Sequence, residues 1–196
     1  MEFMDVVRKR RMVRHFTDQP VARAVVERML DAASRGPSAG NSQGQDFVVV
    51  MDADRRRRIA ALCGEEDYVG QGFDPFLSEA PVHVVPCIRE ETYHERYREP
   101  DKTSPDGTEI EWPVPFWVMD GGCAVMLLLL AAIDEGLGSA FVGTWQLPGL
   151  RAELGIPDDV TPLGVIAVGH PAHDKRSGSL ARGRRRADST GHWEAW

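Results

Sequence analysis

Near the start of the chain, Arg10-Arg11-Met12-Val13-Arg14-His15-Phe16 offers the first chemistry. Arginines so closely spaced at the end of a short helix suit a phosphate, because each planar guanidinium presents two parallel donors. The same spacing also fits a solvated basic face. A second group, Gly36-Pro37-Ser38-Ala39-Gly40-Asn41-Ser42-Gln43, mixes small residues with hydroxyls and side-chain amides. Small residues let backbone approach a planar ligand, and Ser38, Asn41 and Gln43 can hydrogen-bond ring heteroatoms; a plain turn is the competing reading. No Gly-Lys-Ser/Thr follows, so this is not a Walker-type phosphate loop. A third group, Gly136-Leu137-Gly138-Ser139-Ala140-Phe141-Val142-Gly143, is glycine-rich like a dinucleotide fingerprint but closes a helix and opens a strand, the reverse of that motif. Gly136 reads better as the cap of the preceding helix. His170 and His173 form an HxxH beside Pro171, without the helical face a metal pair would use, and no metal is expected. His15, His83, His94 and His192 have no partner legible in the sequence.

These groups need elements to position them. Met4 to Lys9 reads as a short helix, and Arg23 to Ala33 as a second, with Val25, Val26, Met29, Leu30 and Ala33 at helical spacing. Phe47 to Met51 reads as a buried strand and Asp54 to Cys63 as a helix. Pro81 to Ile88 is another strand, which Pro86 places at an edge or beside a bulge. Arg89 to Pro115 is polar, contains prolines and lacks periodicity, as a lid or a disordered stretch would. Asp120 to Glu135 is apolar nearly all round and should be a central buried helix. Ser139 to Val142 and Leu163 to Val168 complete the strands. From Ala172 the chain is polar and basic. No internal repeat is visible. The expectation is one domain over residues 1–196, with a lid at about 89–117 and a C-terminal arm at about 172–196.

The 196 residues suffice for one sizeable core, and 42% hydrophobic with 27% charged residues is ordinary for a globular chain. A net charge of -7 gives no general attraction to nucleic acid or an anionic membrane. The charge is unevenly spread: basic residues gather at Arg8 to Arg14 and at Arg182 to Arg186, and the middle is acidic. Cys63, Cys87 and Cys123 lie far apart and form neither a disulfide framework nor a zinc motif. The N-terminus has no apolar h-region, and the longest apolar run, Cys123 to Ile133, is too short for a bilayer. A cytoplasmic location is therefore expected.

Taken in order, RRMVRHF, GPSAGNSQ, DEGLGSAFVG, LGIPDDVTPLGVIAVGHP and an arginine-rich end make the chain resemble the FMN-dependent nitroreductase family over nearly its whole length. The resemblance implies an α+β, three-layer α/β/α fold with a mostly antiparallel sheet, a buried central helix and an extended C-terminal tail. It also implies a homodimer with FMN at the subunit interface. Arg10, Arg11, Met12 and Arg14 would line the FMN phosphate, ribityl chain and ring edge. Met12 stands where the family commonly has Ser, so a side-chain hydrogen bond there would be lost while a backbone contact survives. Pro37, Ser38, Ala39, Asn41 and Gln43 would come from the partner chain. Val142, Gly143 and Thr144 fall where a backbone amide meets flavin N5, and Arg182, Arg184 and Arg185 would neutralise the phosphate. The bland alternative for Arg186 is a solvated tail.

The implied reaction is ping-pong transfer of hydride from NAD(P)H through FMN to a nitroaromatic, quinone-like or other planar acceptor, with no catalytic acid or base assigned. Tyr93, Tyr97, Lys102, Phe116 and Trp117 are the candidate acceptor-covering residues, with Trp112 beside them; Phe116 and Trp117 fit a core role equally well. Alternatives within the same fold are a reductive dehalogenase, for which Glu90, Glu91, Tyr93 and Lys102 supply residue types but not the spacing, or an oxidase. A low-turnover flavin-binding or regulatory protein is the third.

Overall fold

The computed structural model describes residues 1–143 and 146–196. Its centre is a five-stranded sheet built from β1 (Gln45–Val50), β2 (Val82–Arg89), β3 (Gly138–Val142), β4 (Val160–Pro162) and β5 (Val165–Gly169). The order is β1-β2-β5-β3, with β4 also on β2, and every pairing is antiparallel. Side chains alternate between two cores, as the two-residue period of a strand requires. Val82, Val84, Ile166 and Val168 face one core, completed by α2 (Arg23–Ser34) and α7 (Phe116–Asp134). Val85, Cys87, Val165 and Ala167 face the other, filled from α3 (Ala53–Leu62), α5 (Phe76–Glu79) and α8 (Leu147–Leu154). The result is the expected three-layer α/β/α arrangement. The remaining helices are α1 (Phe3–Lys9), α4 (Glu65–Gly70) and α6 (Glu91–Tyr97).

β2 is central, which corrects the edge position that Pro86 implies. It pairs with β5 through Val82–Val84 and with β4 through Cys87–Arg89, so Pro86 falls in the gap between those ladders. Its missing N–H therefore leaves no bond unmade, while its carbonyl accepts from the Leu163 amide at 2.8 Å. β1, read as a buried strand, is instead a half-buried edge.

α7 begins at Phe116, four residues before Asp120, so that aspartate lies inside the helix. By length and composition α7 could cross a membrane; here one face packs on the sheet and α2, leaving Val118, Met119 and Met126 exposed on the other. It ends where Gly136 adopts φ +75°, with Leu137 N–H on Ala132 O at 2.7 Å and Gly136 N–H on Ile133 O at 3.0 Å. That Schellman cap confirms the reading of Gly136 as a helix terminator. The lid is partly regular, since α6 lies within it. Residues 172–196 run as an exposed arm with two short 3-10 turns, Gly178–Arg182 and Ala187–Ser189.

Candidate functional site

The arginine segment leaves α1 and runs along the free edge of β3. Val13 N–H donates to Ser139 O at 2.9 Å, and Met12 bridges Ser139 in a parallel sense. Gly138 is required at this crossing, because a Cβ there would lie 2.8 Å from Val13 Cγ2. Val13 is buried, which fixes the alternation: neighbours on either side turn toward solvent and the arm.

A cavity of about 410 Å³ opens there, lined by Arg8, Lys9, Arg10, Arg11, Met12, Arg14, Arg176 and Arg184, together with Ser177, Ser179 and Leu180. Asp174 anchors it. Its carboxylate accepts from Arg11 Nη1 at 2.7 Å and from the Arg14 amide at 2.9 Å. Burial by itself would raise the Asp174 pKa; the Arg11 and Arg14 hydrogen bonds outweigh it and hold the carboxyl below its ordinary value. Arg14 is braced over Phe73, its guanidinium carbon 5.2 Å from the ring centroid, and its buried Nε has no partner among the described residues. Among the described residues Arg10, Arg176 and Arg184 form no ion pair. Several guanidinium groups thus converge on one space with a single buried counter-charge, an arrangement that a phosphate dianion relieves.

The C-terminal arginines divide. Arg184 reaches the cavity, whereas Arg182 closes an exposed 3-10 turn and Arg185 turns to the Ser189 carbonyl. Met12 bends its thioether back toward β3, where Phe141 N–H lies 3.3 Å from Sδ. That contact links Met12, which lines the cavity, to Phe141 near the end of β3; beyond it Val142 is buried, and exposed Gly143 lines a separate cavity with Tyr68 and Gln71, with no atom of the described residues within 4 Å of the position a Cβ would take. Thr144 lies outside the described residues.

The Gly36–Gln43 loop lines none of this cavity. It sits against α6 and the start of α7. Gly40, Asn41 and Gln43 all have left-handed backbones, at φ 62°, 59° and 54°. Conformations of this kind persist only where surroundings over-determine them. Here Gln43 N–H donates to Ser38 Oγ at 2.7 Å, Ser42 Oγ to Ala39 O at 2.6 Å, Arg96 Nε to Gly40 O at 2.9 Å and Gln45 Nε2 to Pro37 O at 3.2 Å. The shaped loop is thus more than a plain turn.

Beside the loop the lid forms an aromatic cluster. Trp112 packs on Tyr97, Trp117 and Phe116 with ring centroids 4.6, 5.5 and 5.8 Å apart, and Lys102 Nζ lies 5.7 Å from the Tyr97 centroid. Tyr93 is fully buried beneath the loop, against Trp117, and presents no ring surface to solvent. Glu109 ties the lid together: Trp112 Nε1 donates to it at 2.6 Å, Arg98 Nε at 3.0 Å, and His94 Nδ1 contacts it directly. His94, which had no partner legible in the sequence, sits between Glu109 and Glu90, and the Glu109 hydrogen bond raises its pKa. The other histidines also have contacts: His15 with His173 O, His83 with Leu77 O and His192 with Trp196.

Sequence reasoning missed Asp174, Arg176, Arg96 and Glu109. Each acts through a distant partner, and none belongs to a local motif. Asp120 was visible only as a boundary of an apolar run.

The nitroreductase family model matches residues 7–170. The chain is 27% identical over 178 residues to a putative NADH dehydrogenase/NAD(P)H nitroreductase of Methanothermobacter thermautotrophicus, covering 89% of this chain and 80% of that protein. It is 29% identical over 167 residues to an FMN reductase [NAD(P)H] of Bacillus subtilis, covering 83% and 63% respectively. In fold it matches a nitroreductase family protein of Streptococcus pneumoniae TIGR4 with a TM-score of 0.75 at 23% identity, over 97% of this chain and 99% of that one. On the match across its arginine segment, sheet and central helix, the chain belongs to the nitroreductase family.

Proposed function

We propose that this chain is a cytoplasmic, homodimeric FMN oxidoreductase that takes hydride from NAD(P)H and passes it to a small planar acceptor, a nitroaromatic or quinone-like compound. The observation that carries the reading is the convergence of Arg10, Arg11, Arg14, Arg176 and Arg184 on one cavity, which Met12 links to Phe141 of β3. The cavity's donors fit FMN, with charged forks for the phosphate and Ser177 and Ser179 hydroxyls for the ribityl chain; the bare backbone of Gly143, in a separate cavity past the end of β3, would meet a flat ring edge. Bound FMN would supply the hydride-accepting N5, which no side chain provides.

The protein's part is positioning. Arg14, braced on Phe73, would hold its fork toward the phosphate-bearing end. The Val142–Gly143 backbone would approach the ring without a side chain in the way. The Pro37–Gln43 loop lies outside the arginine cavity, which supports its serving the site of a second copy. Exposed Phe3, Met4 and Val7 on α1 and Val118, Met119 and Met126 on α7 give such a copy apolar surface to cover. Tyr97, Trp112, Phe116, Trp117 and Lys102 would then flank the acceptor, since their side chains are only partly buried. Tyr93 fits a supporting role better. The reductive-dehalogenase alternative draws less support, because Glu90 and Glu91 are already engaged by His94 and Arg98.

Titration of the purified protein with FMN, then anaerobic addition of NADH or NADPH, tests the reading. Stoichiometric binding, bleaching of the flavin band and its return with a nitroaromatic are expected. A protein that takes up no FMN, or whose flavin is reduced by dithionite but by neither nicotinamide, would overturn it.

A further inference from the structure

A carboxylate in the most apolar helix of the chain needs a reason to be there. Asp120 lies between Met119 and Gly121 and is 6% exposed. Gly121 presses the helix onto the sheet, since a Cβ there would meet Leu163 Cδ1 at 2.5 Å and Ile88 Cγ1 at 2.9 Å. The Asp120 backbone is therefore fixed, and its side chain reaches sideways, where Oδ2 accepts from the Ala39 amide at 2.8 Å. Burying a carboxylate is unfavourable unless charge-assisted bonds compensate. The Tyr93 hydroxyl, also buried, faces Asp120 and Ser38 without completing a well-formed bond to either. Burial and the adjacent carboxylate push the Tyr93 pKa up, so the phenol stays protonated and faces the carboxylate as a neutral donor.

The remaining bonds of the loop are internal or reach α6 and β1: Asn41 N–H to Ser38 O at 2.8 Å, Ser42 N–H to Ala39 O at 3.1 Å, and the Arg96 and Gln45 contacts. Asp120 supplies the hydrogen bond to α7, and it meets the chain just before the three left-handed residues. Gly40 and Gly44 let α6 close on the other side, because a Cβ at either would lie 2.7 Å from Tyr97 Cε2 or 2.6 Å from Tyr93 Cε2.

We infer that Asp120 is a positioning residue for the flavin site: by holding the Ala39 amide it fixes the left-handed turn of the 37–43 loop, with Tyr93 as the buried support beneath it. The flavin half of this inference rests on the function proposed above; the loop half stands alone. Asp120 would touch neither flavin nor acceptor. It would act by keeping Ser38, Asn41 and Gln43 in one arrangement before FMN arrives, so that binding does not have to order them.

Asp120→Ala, Asp120→Asn and a control, Ile133→Ala, which creates a cavity on the same helix away from the loop, separate positioning from general stability. Amide hydrogen exchange over residues 37–43 is measured without FMN, and FMN affinity by quenching of flavin fluorescence. Asp120→Ala should speed loop exchange and weaken FMN binding by about tenfold or more, the loss of one buried charge-assisted bond. Asp120→Asn, which keeps an oxygen for the Ala39 amide, should recover part of both, and it carries the test if the alanine variant fails to fold. Ile133→Ala should lower the melting temperature while leaving loop exchange and FMN affinity near wild type. Loop exchange unchanged in both Asp120 variants, or changed equally by Ile133→Ala, would overturn the inference. If the wild type binds no FMN, the proposed function falls, and the exchange data still decide whether Asp120 holds the loop.

Discussion

At the scale of single residues, chemistry depends on what a charge is set against. Arg14 is the clearest case: its backbone is tied to Asp174, its guanidinium lies over Phe73, and its buried Nε has no partner among the described residues. A charge-assisted bond to a phosphate is worth about 1.5–3 kcal/mol. Arg14→Ala should therefore weaken FMN binding by about 10- to 100-fold, and Arg14→Lys should recover only part, since a point charge lacks the planar fork. Fluorescence titration measures it, and wild-type affinity in Arg14→Ala would remove Arg14 from the phosphate site. His94 gives a pH prediction. Its folded pKa is raised, first by the Glu109 hydrogen bond, then by Glu90. The stabilisation is thus fully present below the unfolded imidazole value and fades as pH rises through the raised folded value. Between about pH 5.5 and about pH 8.5, either side of the imidazole range, wild type should lose more thermal stability than His94→Gln. Parallel curves for the two proteins would contradict this.

At the scale of elements, two glycines with similar backbones should behave differently. Gly136 has φ +75° and, among the described residues, no atom within 4 Å of where a Cβ would stand, so Gly136→Ala should cost only the left-handed penalty of about 1–2 kcal/mol. Gly40 has φ +62° and Tyr97 at 2.7 Å, so Gly40→Ala should cost more and should also displace α6. Urea unfolding with FMN titration checks both: FMN affinity should drop in Gly40→Ala and hold in Gly136→Ala. Elements of this kind differed in legibility. α2, α3 and four of the strands showed themselves in the sequence, and Gly136 through its place after a long apolar run, whereas the three-residue β4 was too short to leave a period. α6 did not, because its sequence, Glu91-Thr92-Tyr93-His94-Glu95-Arg96-Tyr97, buries only Tyr93 and contributes charged contacts to the lid. Pro86 misled because a gap between β4 and β5 is a tertiary fact that no local rule contains. The arginine segment and the small-residue loop each remained ambiguous alone; their order along the chain revealed the family. Asp120 and Asp174 were hidden because their partners, Ala39 and Arg11, are far away in sequence.

At the scale of the whole molecule, the pieces of the proposed site do not meet within one chain. The arginines line one cavity, which Met12 links to Phe141 near the end of β3; the left-handed loop and the aromatic lid lie elsewhere, around α6 and α7. In the homodimer proposed above, a twofold axis would set each loop against the other copy's cavity, with the apolar residues of α1 and α7 covered between them. Mixed dimers test this most directly. One chain carries Arg10→Ala with Arg14→Ala, which strips the cavity; the other carries Ala39→Trp, which blocks the loop. Neither homodimer should hold FMN. In a heterodimer purified by two different tags, one site inherits both defects and the other inherits none, so about one flavin per heterodimer is expected. A heterodimer as empty as its parents would contradict a site shared between chains.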